Sequence, residues 1–204
     1  MSSRGIGRKA TLYCHNKYSY AILERTKEIE VTMWQRRTFH ECANELMQIS
    51  ERFRGEWKSH YRSDPALAMQ NQTLLDTSMR GVEILRILAL AIRSEQDFGL
   101  TPSDVAIVGA IKENTSNSES TAIINTYTPP YSVLADFKPL KLRQALNKIA
   151  HANPVGGGFF ADANNHDLIL TGSGQSGIHN WIVILSIIDL CSAIKSLPDY
   201  KITT

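Results

Sequence analysis

The feature that most constrains this chain is a run of apolar residues at spacings of three or four: Phe39, Cys42, Leu46, Ile49, Phe53 and Trp57. Such spacing puts all six on one face of an α-helix, because a residue three or four places on returns to nearly the same side. The pattern predicts a helix over residues 37–61, roughly seven turns long. Leu74, Leu75, Met79, Val82, Leu85, Leu88 and Ile92 keep the same period. They predict a second helix over 71–97, with Gly99 as its carboxy-terminal stop. Two helices of this length, each with one apolar stripe, must bury those stripes against each other and against something else.

Residues 1–36 form a partly irregular amino-terminal segment. Thr101-Pro102 opens a shorter helix near 102–112, and the polar stretch ENTSNSES (113–120) forms a loop. A helix covers about 138–151, with Leu142, Leu146 and Ile149 on its buried side. After Pro154 the pattern changes. GGGFFAD, the Asn164-Asn165 turn and HDLILTG read as a hairpin, and HNWIVIL as a third strand after the loop GSGQSG. A helix over 187–197 closes the chain. The expected organisation is therefore a helical bundle over 37–153, with a β-meander and closing helix over 154–204 packed on it. The expected class is mainly α, α+β overall.

The 204 residues suit one domain of moderate size. The net charge of +2 is unevenly placed: residues 1–62 carry 12 Lys/Arg against 7 Asp/Glu, leaving 10 against 13 in the remainder. The excess hints at an anionic partner for the first part of the chain. Three scattered cysteines without a CxxC pair argue against a disulfide framework or zinc ribbon, and fit a reducing, cytoplasmic setting. The apolar runs fall short of the roughly 18–20 residues that span a bilayer. GSGQSG lacks the GK[ST] ending of a phosphate-binding loop, so no cofactor is expected. His166-Asp167 and His179-Asn180 are weak metal candidates, and no metal site is assigned to them.

The stretch LRQALNKIAHANP (142–154) holds the best candidate chemistry. Arg143, Asn147 and His151 follow at intervals of four, a gently winding row that turns 80° from end to end, at about 40° a step. A guanidinium can bind phosphate oxygens, an imidazole can move a proton near neutral pH, and a carboxamide can orient either. Together they would suit metal-independent RNA cleavage, with Arg143 stabilising charge that develops on the phosphoryl group. The same row can be structural, with Arg143 and Asn147 bonded to carbonyls and His151 at the negative end of the helix. Arg52, Arg54 and Lys58 beside Trp57, together with Lys148, are candidate nucleic-acid contacts.

LRQALNKIAHA resembles the motif region of HEPN-type domains, all-helical bundles that carry an Arg and a His late in the domain. The stretch through DLILTG, Trp181 and IDLCSAI also resembles a group of bacterial proteins of unassigned activity. The HEPN resemblance implies RNA binding or ribonuclease activity of a toxin or phage-defence type, and a homodimer whose motifs share a cleft. By that resemblance Arg143 would bind phosphate, His151 would be catalytic and Asn147 its helper. Seven residues separate Arg143 from His151, one more than the pattern's usual maximum. The competing expectation is a non-catalytic interaction or sensor module in which the row is structural.

Overall fold

The computed structural model describes residues 37–60, 71–99, 106–153, 156–173 and 180–202. The expected amino-terminal segment 1–36, the start of the expected helix at Thr101-Pro102, His179 and most of the GSGQSG loop lie outside them, as does the side chain of Lys58.

Helices α1 (Phe39–His60) and α2 (Gln72–Asp97) form where the apolar stripes require them. α1 buries Phe39, Cys42, Leu46, Phe53 and Trp57. α2 is started by Asn71, whose side chain accepts the Leu74 N–H at 3.1 Å. Such a cap contributes about 1 kcal/mol. Gly99, just past its end, has φ +72°, the left-handed conformation that glycine adopts without strain.

Beyond α2 the chain departs from the expected helical bundle. Residues Ile107–Glu113 are a strand, β1, where a helix was expected. The run AIVGAIK fits either period, and its tertiary place decides. A Cβ on Gly109 would lie 2.1 Å from the Ile184 carbonyl oxygen, so the backbones meet there as only glycine allows. The expected loop 113–120 contains the start of helix α3, Asn117–Thr126. Ser116 caps it by accepting the Glu119 N–H at 3.1 Å. The expected helix over 138–151 divides into strand β2 (Lys138–Lys141) and helix α4 (Leu142–Ala150).

The predicted hairpin is present as β3 (Gly158–Ala161) and β4 (His166–Ser173), followed by β5 (Asn180–Ser186) and helix α5 (Ile187–Lys195). The Asp162 carboxylate fixes the turn by accepting the N–H groups of Asn164 and Asn165, each at 2.7 Å. Strands β3, β4 and β5 continue into residues 37–153. They join β1 and β2 in one antiparallel sheet of order β2-β1-β5-β4-β3, with β5 central. The molecule is α+β, with five α-helices and a five-stranded sheet among the described residues.

The sheet separates two apolar layers. Val183 and Leu185 on β5 and Ile111 on β1 face the helices and join Leu46, Leu88, Leu146 and Leu190 in the main core. Ile182, Ile184 and Ile169 face the other way, under Tyr127 and partly buried residues from α3 and the segment after it. Each large aliphatic side chain fully buried in this way contributes ~1.5–3 kcal/mol. The edge strand β2 carries Lys138, Pro139 and Lys141, residue types that oppose pairing with another strand. Among the described residues no helix is long and apolar enough to cross a membrane.

Candidate functional site

α4 carries the Arg143–Asn147–His151 row. Leu142, Ala145, Leu146 and Ile149 form its buried face, seated against α2 and the sheet. That contact brings Arg143 to the carboxy-terminal end of α2. Its Nη1 donates to the Arg93 carbonyl at 3.0 Å and to Gln96 Oε1 at 3.4 Å, while Nη2 forms an ion pair with Asp97. The last turn of α2 has no basic side chain of its own. Arg143 supplies the missing cation from another helix, where unpaired carbonyls leave negative charge.

His151 stands at the opposite end of α4. It is the residue that terminates the helix, with its N–H bonded to the carbonyls of Asn147 (3.2 Å) and Lys148 (3.3 Å) and its ring exposed. Eight residues of helical rise separate it from Arg143, about 12 Å along the axis. The interval of eight leaves the two 80° apart about that axis. Asn147 lies between them, half-buried. Within one chain the guanidinium is bonded to the end of α2 and the imidazole is a helix-length away, so the two do not converge on one phosphate.

The candidate nucleic-acid contacts also divide. Arg54 Nη1 donates to the Ala163 carbonyl at 2.7 Å and ties α1 to the β3–β4 turn. Lys148 Nζ sits 4.5 Å from the centre of the Trp181 ring, and burial holds its pKa below the ordinary lysine value. Arg52 is exposed on α1 and lines a groove between α1 and α2. The groove's acids are matched by its bases: Glu45 pairs with Arg37 and with Arg80 at 2.9 Å. Trp57 is core, packed against Phe53 and Phe159.

His166 and Asp167 point to opposite faces of the sheet, as neighbours on a strand must. His166 Nδ1 lies 2.9 Å from Ser50 Oγ, and its ring stacks on Phe53 with centroids 4.9 Å apart. Burial, reinforced by nearby Arg54, pulls its pKa down to about 4. The pair links β4 to α1 and is sealed from substrate. Asp167, on the other face, accepts a hydrogen bond from the Tyr127 hydroxyl at 2.6 Å. Nothing in the sequence joins Tyr127 to Asp167, since the two lie forty positions apart. Cys42 and Cys191 are buried, and burial pushes their thiols up to about 11 and 12, where they are inert at neutral pH. Among the described residues no three His, Cys, Asp or Glu side chains gather to hold a metal ion.

Comparison with protein families, with curated proteins and with solved structures finds no match for this chain.

Proposed function

We propose that the chain is a non-catalytic interaction or sensor module in which the Arg143–Asn147–His151 row serves the architecture. The observation that carries this reading is the engagement of Arg143. A phosphate-binding arginine must offer its fork to substrate, and this fork holds a backbone carbonyl, an amide oxygen and a carboxylate at the end of α2. Freeing it would leave Asp97 and the α2 carbonyls to water and cost stability before any substrate bound. Arg54 and Lys148 support the same reading, because both are engaged with groups of the fold itself.

The second reading is an RNA-binding, HEPN-like protein with metal-independent endoribonuclease activity. The exposed ring of His151 favours it. It requires a phosphate-binding group from elsewhere, such as a second copy of the chain. The α+β architecture, with the motif helix seated on a sheet, departs from the all-helical bundle that this reading implies.

The purified 204-residue chain incubated with mixed RNA in EDTA distinguishes the two, with Arg143→Ala and His151→Ala run in parallel. The module reading predicts no cleavage by the wild type. Cleavage by the wild type that disappears in His151→Ala would overturn it.

A further inference from the structure

One run of chain covers the second face of the sheet: α3, then a strap from Tyr127 to Phe137 that crosses Ile169, Ile182 and Ile184. Two tyrosine–aspartate pairs hold the strap. The Tyr127 hydroxyl donates to Asp167 Oδ2 at 2.6 Å, and the Tyr131 hydroxyl donates to Asp189 Oδ2 at 2.9 Å. The two carboxylates have unlike surroundings. Asp189 lies half-buried in the first turn of α5. Asp167 is 3% exposed, in the interior of the sheet.

The groups around Asp167 come from every neighbouring element. The strap brings Tyr127, α5 brings the negative Asp189, and the β3–β4 turn brings the negative Asp162. β3 places Phe160 opposite it and β5 places Ser186. Lys112 on β1, registered with Ile182 rather than with the residues beside Asp167, is engaged with Glu119 of α3 at 2.9 Å and with Asp136 of the strap at 3.4 Å. A full negative charge on Asp167 is thus opposed by burial and by two other carboxylates, and helped chiefly by one hydroxyl.

We propose that these two pairs form a proton-linked latch, closed when Asp167 is protonated, which loosens the Tyr127–Phe137 strap once that buried carboxylate is ionised. The inference is independent of the function proposed above, since the latch lies across the sheet from α4. Burial pushes the Asp167 carboxyl up to about 6 against an ordinary value of 3.8. The Tyr127 hydrogen bond lowers it, and Asp189 and Asp162 raise it. A carboxyl whose pKa is raised in the closed state favours closure at low pH, and that advantage is lost as pH rises from 3.8 to about 6. Between about pH 5 and about pH 7.5 the opening constant should therefore rise about tenfold.

Amide hydrogen exchange over residues 127–137 of the full chain, corrected for the intrinsic effect of pH, reads this directly. The wild type should show about tenfold more frequent opening at the higher pH, and Asp167→Asn should show none of that change. Asp189→Asn, which removes one repelling charge but keeps the titrating group, should show a smaller change than the wild type. Equal corrected exchange at the two pH values in the wild type, an undiminished change in Asp167→Asn, or one in Asp189→Asn as large as the wild type's, would overturn the latch.

Discussion

Replacing Arg143 with alanine removes the cation that closes the end of α2. The loss comprises a charged hydrogen bond to the Arg93 carbonyl at 3.0 Å, a weaker one to Gln96 at 3.4 Å and the ion pair with Asp97. A hydrogen bond to a charged group contributes ~1.5–3 kcal/mol when sheltered, and a cation at a helix C-terminus ~0.3–1 kcal/mol. The Arg143 side chain is 32% exposed and that of Asp97 59%, so water replaces part of what is removed and salt screens the pair. The expected destabilisation is about 1.5 kcal/mol, or roughly 3–6 °C in Tm for a chain of this size. Chemical denaturation of wild type, Arg143→Ala, Asp97→Ala and the double variant isolates the pair, which should show a coupling of about 0.5–1 kcal/mol. His151→Ala should stay within about 0.5 kcal/mol of the wild type, since its ring is exposed. If Arg143→Ala were as stable as the wild type, with no coupling to Asp97, the clamp would be wrong and the guanidinium free for a ligand.

Lys148→Ala should alter Trp181 fluorescence and cost about 0.5–1 kcal/mol, the scale of a cation over an indole, without changing retention of the chain on RNA; weakened RNA retention at unchanged stability would return Lys148 to the nucleic-acid contacts. Gly109→Ala should abolish folding or leave it only marginal, because the new Cβ meets backbone rather than a movable side chain; a normal cooperative melt would show that β1 and β5 do not approach as described. The pH profile of stability should carry two opposed contributions. His166, lowered to about 4 from 6.5, contributes stability present above 6.5 and lost as pH falls towards 4, while Asp167, raised to about 6 from 3.8, contributes stability that is gained over nearly the same fall. Each is on the order of 3 kcal/mol, so Asp167→Asn should lose stability more steeply than the wild type between about pH 6 and pH 4; parallel profiles would refute the pairing of effects.

The parts of the fold legible in the sequence are those with a long, one-sided signal. α1 and α2 announce themselves through seven or so apolar positions each, and the β3–β4 hairpin through its Asn164-Asn165 turn between apolar runs. Short apolar segments were ambiguous. AIVGAIK became a strand because β5 lies beside it, and Lys138–Lys141 because β1 does. α3 did carry a readable start, Ser116 three residues before Glu119, hidden in a stretch whose polar composition suggested a loop. At the candidate site the row and its offset were legible, but the partner of Arg143 was not. Asp97 and the Arg93 carbonyl lie nearly fifty positions away, and only the packing of α4 on α2 brings them to the guanidinium.

Arg143 closes the end of α2. Amide exchange at Asp97 and Phe98, compared between wild type and Arg143→Ala, tests it most directly, because Phe98 N–H bonds the Ser94 carbonyl in that last turn. Faster exchange there in the variant, with protection elsewhere in α2 retained, is the predicted result. Unchanged protection at the end of α2, with altered exchange confined to the surroundings of His151, would contradict it.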